Sequence, residues 1–232
     1  MEINLLKPND KQVEEEILEF LLDHFLIDEP LFEGLKISRE EVIPFYKGLE
    51  LLLEILKKEN SFLEIIKICS KEPPISMLVR SKNEENKLVA VMLGQLINRN
   101  GPQNDFYKIK GEKTKYSPNV DIYCKLVHLC ESCVWDLLPK NMVKLCSVAF
   151  LSVHKDYRKL GIGYQTTKEL VNYLRQMGDV QGFVSELSAI SKEIGFELLL
   201  QIPYEGWKDE KGNQIIKAKD GAKSLDLQCL FL

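Results

Sequence analysis

The stretch that most constrains the fold runs from Ser147 to Met177 and predicts a strand, a tight loop and a helix in succession. Residues 147–153 form an apolar run of strand length that is rich in β-branched and aromatic side chains. The next residues, HKDYRKLG, are polar and typical of a turn, and residues 161–177 have the apolar spacing of a helix. This order is typical of one unit of an α/β protein.

The loop contains the pattern RxxGxG, which Arg158, Gly161 and Gly163 form where the predicted helix begins. The first turn of a helix has unpaired backbone N–H groups and the positive end of the helix dipole, and glycine lets the main chain approach a ligand closely. The junction therefore suits a phosphate or pyrophosphate. Because a strand-to-helix turn also needs small residues for steric reasons, the short pattern alone is equally compatible with a structural role. It matches neither the P-loop nor the Rossmann glycine pattern.

The longer phrase LSVHKDYRKLGIG resembles the acetyl-CoA motif of the GNAT acetyltransferases, in which Arg/Gln-x-x-Gly-x-Gly/Ala follows the central strand. The resemblance implies that the strand end runs beside the pantetheine arm of acetyl-CoA, where a main-chain N–H polarises the thioester carbonyl. The strand residues concerned are Leu151, Ser152 and Val153. The residues implied around the pyrophosphate are Arg158, Lys159, Leu160, Gly161, Ile162 and Gly163.

A second informative phrase, FLLDHFLIDEPL, lies where the first predicted helix ends. We expect Asp10 to cap this helix, the helix to end near Ile27, and DEPLFEGL to follow as a loop. The phrase is similar to the N-terminal signature of the insect-type arylalkylamine N-acetyltransferases, and the resemblance implies that Glu29 is the catalytic base. By residue type alone, Glu29 is either part of a solvated acidic turn or a partly buried carboxylate with a raised pKa.

The same resemblance implies which residues surround the amine. Phe25, Pro30 and Tyr46 are the implied substrate contacts, although by composition Phe25 and Tyr46 are also ordinary core residues. Ser185 and Ser188 are the implied assistants of proton transfer. As ordinary residues, these two serines would be a helix cap and a hydroxyl on a helix surface.

The chain departs from the family pattern at two places. The two serines are separated by three positions rather than the expected four, and Glu186 lies between them. His154 follows LSV, where an acidic or small residue is commoner, and it is an alternative base because histidine titrates near neutrality. No histidine pair like that of the vertebrate pineal enzymes is apparent in the sequence.

The remaining patterns complete one α/β domain over residues 1–232. The expected elements are a strand over residues 1–6, a capping box at Ser38 and Glu41, a hairpin of Ile75–Ser81 and Leu88–Asn98 with a bulge at Gly94, a helix from Pro118 to about Leu138, a short helix over Ser185–Ile194 closed by Gly195, and strands in ELLLQIPY and LDLQCLFL. Together they predict a GNAT-type domain, with a mixed, mostly antiparallel sheet of about seven strands and helices on both faces.

Composition and charge narrow the class of partner. The 232 residues are 45% hydrophobic and 28% charged, with a net charge of −4, as expected for a globular protein with one sizeable core. This acidic balance argues against non-specific binding to nucleic acid or anionic membranes, both of which need a basic surface. No apolar run approaches 18 residues and the N-terminus resembles neither a signal nor a transit peptide, so a cytoplasmic location is expected.

The six cysteines are scattered along the chain, and we expect free thiols. Cys124, His128, Cys130 and Cys133 include one CxxC pair, but their segment has the pattern of an amphipathic helix. Because a closed zinc site normally takes its ligands from two separated pairs, no metal is expected.

The predicted function is transfer of acetyl from acetyl-CoA, a co-substrate, to the primary amine of an arylalkylamine such as dopamine, serotonin, tyramine or octopamine. Direct attack in a ternary complex is expected, because no cysteine lies near the expected thioester position. The alternatives are acetylation of a polyamine, agmatine or an amino acid, and a non-catalytic acyl-CoA-binding module. The expected partners are therefore small molecules, and the expected state is a monomer or a weak dimer.

Overall fold

Seven strands in the described part of the chain form one mixed sheet, in the order β1-β2-β3-β4-β5-β7-β6. The computed structural model describes residues 1–7, 10–25, 29–38, 41, 66, 69–101, 117–186 and 192–232. The strands are β1 (Glu2–Leu5), β2 (Met77–Arg80), β3 (Leu88–Asn98), β4 (Lys144–Val153), β5 (Gly182–Ser185), β6 (Glu197–Pro203) and β7 (Ser224–Phe231). Only the β4–β5 pair is parallel among these neighbours, which confirms the predicted mostly antiparallel sheet.

The helices of the described residues lie on both faces of this sheet. They are α1 (Lys11–Phe20), which continues as one π-helical turn over Leu21–Phe25, α2 (Pro30–Gly34), α3 (Pro118–Ser132), α4 (Val134–Leu137) and α5 (Ile162–Met177). One core cluster joins α1, α2 and α3 to one face of the sheet, and another packs Leu170 and Leu174 of α5 against the other face. This arrangement confirms the predicted α/β class.

Two local capping signals in the sequence are confirmed by the structure. The Asp10 carboxylate accepts a hydrogen bond from the N–H of Val13 at 3.2 Å, as expected for the cap of α1. Ser38 and Glu41 form the predicted capping box, in which the N–H of Glu41 donates to the Ser38 hydroxyl and the N–H of Ser38 donates to the Glu41 carboxylate. The positions that follow this box, residues 42–65 with Tyr46, lie outside the described residues, as do residues 102–116.

Three sequence-based boundaries are wrong. Pro30–Gly34 is a short helix and not a loop, because Pro30 occupies its first turn, where a missing N–H costs nothing, and Glu29 caps it. Ser185 ends strand β5 opposite Gln228 and does not begin a helix. The helix predicted from Pro118 to about Leu138 is divided at Cys133 into α3 and α4.

A register shift in the middle of β4 positions the end of that strand. Leu93 of β3 pairs with Phe150, while the next residue, Gly94, pairs with Val148. The extra residue is therefore Ala149 on β4, opposite the predicted bulge at Gly94. Because a bulge reverses which face a side chain points to, Val148 packs toward α5 whereas Phe150 packs toward α1 and α3.

The sheet opens between its two parallel strands. β4 pairs with β5 only from Leu145 to Ser147, opposite Gly182–Val184, and β4 then continues for six more residues to Val153. No described strand pairs with this edge of β4 beyond Ser147. The edge therefore presents main-chain groups to a gap in the sheet, and the candidate site lies in this gap.

Candidate active site

Two cavities meet at the opening between β4 and β5. The first, which we call the Arg158 cavity, has a volume of about 280 Å³. It is lined by His24, Phe25, Glu29, Pro30, Leu151, Ser152, Val153 and Arg158. The second, the Glu186 cavity, has a volume of about 150 Å³ and extends toward α3 and β7. Phe25, Glu29 and Leu151 line both cavities, so these residues form the common wall.

Glu29 is held at this common wall by its place in the chain. It directly precedes α2, and its carboxylate accepts a hydrogen bond from the N–H of Leu31 at 3.3 Å. The N–H of Lys219 donates to the carbonyl of Pro30 at 3.3 Å, which brings the segment before β7 against the start of α2. Glu29 is partly buried. The solvated acidic turn that the residue type allowed is therefore not what the structure contains.

Burial raises the pKa of the Glu29 carboxyl from 4.5 to about 7, because the charged form loses water. The hydrogen bond from Leu31 acts in the opposite direction, and the negative charge of Asp220 adds to the increase. A carboxyl group with this pKa is half ionised at neutral pH. It can accept a proton and release it within one catalytic cycle.

The end of β4 and Arg158 also line the Arg158 cavity. Val153 ends the strand, and its carbonyl accepts a hydrogen bond from Nε of Arg158 at 3.0 Å. This bond orients the guanidinium group toward the same cavity as Ser152, which is buried. Four of the predicted cofactor contacts, Leu151, Ser152, Val153 and Arg158, are thus brought together.

The remaining predicted cofactor residues form the loop and the first turn of α5. Lys159 and Gly161 have positive φ angles of 61° and 75°, and the turn between them exposes Leu160. The side chain of Ile162 is buried in a small core cluster, so only its main chain can contact a ligand. No side chain of the described residues caps the first turn of α5. Its N–H groups are therefore suited to bind an anion.

The space around the two glycines of this turn is compatible with a bound pyrophosphate. A Cβ atom at Gly161 would meet nothing within 4 Å, and one at Gly163 would lie at an ordinary 3.6 Å from Leu151. Protein packing therefore does not require glycine at position 163. The missing side chain instead leaves the helix start open to a ligand, as close approach of a phosphate requires.

The Glu186 cavity combines aromatic walls with carboxylates. Its aromatic residues are Phe25, Tyr123 and Phe150, and the Phe25 and Phe150 rings meet edge to face at 5.0 Å. Glu131 and Glu186 line this cavity together with Glu29, and no Lys or Arg residue lines it among the described residues. Burial, together with the negative charge of Glu29, raises the pKa of Glu186. The cavity is therefore suited to a small cation with an apolar part.

The structure places only part of the predicted serine pair. Ser185 is buried at the end of β5 and lines the Glu186 cavity together with Glu29. Its position is consistent with contact to a bound amine. Ser188 lies outside the described residues. Phe25, a predicted substrate contact, lines both cavities, and Pro30, another, lines the Arg158 cavity. The third, Tyr46, lies outside the described residues.

A pair of histidines, His24 and His154, was not apparent from the sequence. Their ring centroids are 4.2 Å apart, and His24 lines the Arg158 cavity. Nδ1 of His154 accepts a hydrogen bond from the N–H of Asp156 at 3.2 Å. The two residues are far apart in the chain, and only the packing of the π-helical turn after α1 against the end of β4 brings them together. The one available signal was His24 four residues after Phe20, on the buried face of the helix.

The described residues contain neither a metal-binding cluster nor a membrane-spanning helix. No group of three or more His, Cys, Asp or Glu side chains there is arranged to hold a metal ion. Cys124 and Cys130 are buried in α3, and all six cysteines are free thiols. No helix in the described ranges is long and apolar enough to cross a membrane.

The fold matches several solved structures along its whole length. Arylalkylamine N-acetyltransferase 2 from Aedes aegypti matches with a TM-score of 0.74 and 17% identity, covering 100% of this chain and 99% of that chain. The Drosophila melanogaster polyamine N-acetyltransferase, which forms N-acetylagmatine, matches with a TM-score of 0.68 and 18% identity over 100% of both chains. The C-terminal condensation domain of Ebony, in complex with β-alanyl-dopamine, matches with a TM-score of 0.64 and 13% identity over 100% of both chains.

No protein-family model matches the sequence, and no curated protein sequence matches it significantly. At identities of 13–18%, the structural likeness establishes the fold and leaves the reaction to be inferred from the site. The chain therefore has the GNAT acetyltransferase fold that its sequence predicts.

Proposed function

We propose that this protein is an acetyl-CoA-dependent N-acetyltransferase that acts on a small primary amine. The observation that carries the proposal is the position of Glu29 on the wall shared by the Arg158 cavity and the Glu186 cavity. A base at this place contacts both a thioester in the first cavity and an amine in the second. Acetyl transfer requires this juxtaposition, because the amine must lose a proton as it attacks the thioester carbonyl.

The proton chemistry fits the pKa of Glu29. An aliphatic amine has a pKa near that of lysine, about 10.4, so roughly one molecule in 2,500 is the free base at pH 7. Glu29, with a pKa of about 7, is sufficiently basic to receive the proton and sufficiently acidic to lose it again at neutral pH. Ser185 lines the same cavity and is proposed to assist this transfer by hydrogen bonding.

The Arg158 cavity fits the co-substrate. Acetyl-CoA supplies the activated acetyl group, and this chain's residues bind and orient it. The first-turn N–H groups of α5 and the guanidinium of Arg158 are proposed to hold the pyrophosphate. The unpaired edge of β4 near Leu151 is proposed to hold the pantetheine arm and to stabilise the charge that develops on the carbonyl oxygen.

Aromatic walls favour an arylalkylamine acceptor, as the sequence predicts. Phe25, Tyr123 and Phe150 offer an apolar surface and edge-to-face contacts to an aromatic ring. A specific observation favours a second candidate, a polyamine or agmatine. Glu131 and Glu186 are carboxylates that the acetyl transfer itself does not use, and they line the same cavity. A second positive charge on the acceptor would be attracted to these half-buried carboxylates.

Steady-state acetylation of a panel of amines by the purified protein tests the proposal. The panel contains dopamine, serotonin, tyramine, octopamine, agmatine and putrescine. The Glu29→Ala variant is expected to bind acetyl-CoA with unchanged affinity and to lose at least about 100-fold in kcat. Binding of acetyl-CoA without acetylation of any amine by the wild-type protein would instead support a non-catalytic acyl-CoA-binding module.

The Glu186→Gln variant separates the two acceptor classes. If the acceptor is a diamine, its KM is expected to rise by about tenfold or more in this variant, because a charge-assisted hydrogen bond is worth about 1.5–3 kcal/mol. The KM of an arylalkylamine is expected to change by less than about threefold, because its single ammonium group is placed at Glu29. A class of amine in the panel that the wild-type protein does not acetylate is excluded as the acceptor.

A further inference from the structure

His154 lies directly after β4, where the loop that carries Arg158 begins, but it lines neither of the two cavities. It is buried, and its Nδ1 atom accepts a hydrogen bond from the N–H of Asp156 at 3.2 Å. A nitrogen that already accepts this bond is not free to take a proton from an amine. The position of His154 therefore does not support the catalytic base that the residue type allows.

The contacts of His154 instead hold the turn that follows the strand. Its main-chain N–H donates to the carbonyl of Val89 on β3 at 2.8 Å, which anchors the residue to the sheet. Its carbonyl accepts a hydrogen bond from the N–H of Tyr157 at 2.9 Å, and its side chain caps the same turn at the N–H of Asp156. One residue therefore fixes both the start and the end of the turn Lys155–Tyr157.

This turn determines where Arg158 lies. The N–H of Arg158 donates to the carbonyl of Lys155 at 3.5 Å, and its Nε donates to the carbonyl of Val153 at 3.0 Å. The turn thus brings Arg158 back to the end of β4, where it lines the Arg158 cavity. The cap from His154 stabilises this reversal, because it satisfies an N–H group that the turn leaves without a backbone partner.

The ring of His154 is held on two sides. It lies 4.2 Å from the ring of His24 on the π-helical turn and 5.4 Å from the ring of Tyr157, centroid to centroid. The hydroxyl of Tyr157 donates to the carboxylate of Glu84, in the turn between β2 and β3. Packing on both sides restricts the ring, so Nδ1 stays directed at the N–H of Asp156.

The cap requires the neutral form of His154. In the imidazolium form both ring nitrogens carry hydrogen, so Nδ1 cannot accept the N–H of Asp156. Burial and nearby positive charges hold the pKa of His154 below 6.5, although the carboxylate of Asp156, 3.7 Å from Nδ1, raises it. The cap is therefore intact at neutral pH and is lost in acid. The groups that face the ring are His24 on the π-helical turn, Lys87 before β3, and Lys155, Asp156 and Arg158 on its own loop.

We propose that neutral His154 is a positioning residue for the acetyl-CoA site, and that protonation of its ring releases the turn before Arg158 and weakens acetyl-CoA binding. The proposal rests on the proposed acetyltransferase function. Loss of the cap lets the main chain between Val153 and Arg158 relax, so the guanidinium group and the first-turn N–H groups of α5 no longer face the pyrophosphate together. The charge that the ring gains lies outside both cavities and beside the Asp156 carboxylate, so its own attraction for the pyrophosphate is small.

Calorimetric titration with acetyl-CoA in the absence of amine tests this role, because no turnover occurs. Between pH 8 and pH 5.5, the dissociation constant of the wild type is expected to rise by about fivefold more than that of His154→Asn, since one hydrogen bond is lost. The asparagine oxygen accepts the N–H of Asp156 without titrating, so this variant is expected to stay within about threefold of the wild type at pH 8. Glu29 and the phosphates of the co-substrate titrate in both proteins, so their effects cancel in the comparison.

The His154→Phe variant separates the cap from the packing of the ring. It keeps a ring against His24 and Tyr157 but has no acceptor, so its dissociation constant is expected to be about fivefold higher already at pH 8. The kcat at saturating substrates is expected to stay within about threefold of the wild type in both variants, because His154 does not touch the reacting groups. If His154 were the base, both variants would lose about 100-fold or more.

The chain has three histidines, so the pH effect is assigned by replacing each in turn. His24→Asn, which changes the other histidine near the site, is expected to keep the wild-type pH dependence. His128→Asn, which changes an exposed histidine of α3, is the matched control with the same expectation.

The failure of this proposal and that of the proposed function give different results. The positioning role is refuted if the wild type binds acetyl-CoA with the same pH dependence as His154→Asn, or if the dependence disappears in His24→Asn. It is also refuted if His154→Phe binds as tightly as the wild type at pH 8, or if His154→Asn binds as weakly as His154→Phe. If the wild type binds no acetyl-CoA at any pH, the proposed function fails first.

Discussion

The pKa of Glu29 makes a quantitative prediction about stability. A carboxyl group whose pKa is raised by folding destabilises the native state as the pH rises through the interval between its unfolded and folded values. For Glu29 this interval extends from 4.5 to about 7. The Glu29→Gln variant removes the ionisation while its side-chain oxygen can still accept the hydrogen bond from the N–H of Leu31.

The magnitude follows from the two pKa values. Below pH 4.5 both proteins carry a neutral side chain at this position, so their free energies of unfolding are expected to be similar. Above pH 7 the wild type bears the full cost of a partly buried charge, at most about 3 kcal/mol for this pKa difference. The stability advantage of Glu29→Gln is therefore expected to grow from below about 1 kcal/mol at pH 5 to about 3 kcal/mol at pH 8.

Urea unfolding at several pH values between 5 and 8 measures this difference. Glu33→Gln is a matched control in α2, the helix that Glu29 caps, because Glu33 is exposed and forms an ion pair with Lys219 at 2.7 Å. The Glu33→Gln substitution is expected to change the free energy of unfolding by less than about 1 kcal/mol at every pH, as is usual for a surface ion pair. If the difference in free energy of unfolding between Glu29→Gln and the wild type does not change with pH, the raised pKa of Glu29 and the burial that causes it are refuted.

Three further predictions concern the binding and reacting groups. Gly163→Ala is expected to be as stable as the wild type or more stable by at most about 1 kcal/mol, as calorimetry measures, but to have a higher KM for acetyl-CoA. The control Gly206→Ala is expected to leave that KM unchanged, and initial rates measure both KM values. Arg158→Gln is expected to raise the KM for acetyl-CoA by about tenfold or more, and Lys168→Gln, on the exposed face of α5, to leave it within about twofold; equal effects would contradict the assignment of Arg158. Ser185→Ala is expected to lower kcat by about tenfold without changing acetyl-CoA binding, and an unchanged kcat would exclude its role in proton transfer.

The sequence predicted those parts of the site that depend on local pattern. The strand, loop and helix from β4 to α5 carry their own signals, since apolar periodicity and turn residues determine each element within a few positions. The bulge was predicted at Gly94, but the extra residue, Ala149, became visible only in the pairing of β3 with β4. Which strand of a pair carries the extra residue depends on both strands and not on one segment.

The sequence did not predict the contacts that distant segments create. In the sequence, Glu186 is only a departure from the serine pattern, yet the end of β5 brings it to the cavity that Glu29 and Tyr123 also line. His24 and His154 likewise meet through tertiary packing. Burial and the pKa shifts that follow from it depend on which surfaces meet, so no spacing rule could reveal them.

The pH dependence of kcat/KM for the amine at saturating acetyl-CoA tests the role of Glu29 most directly. If ionised Glu29 takes the proton of a bound ammonium ion, the wild-type value is expected to rise tenfold per pH unit up to about pH 7 and then to remain level until the amine itself titrates near pH 10. Glu29→Gln must instead wait for the free amine, so its much lower value is expected to rise without a bend from pH 6 to pH 9. A bend near pH 7 that persists in Glu29→Gln with wild-type activity would contradict the assignment of Glu29 as the base.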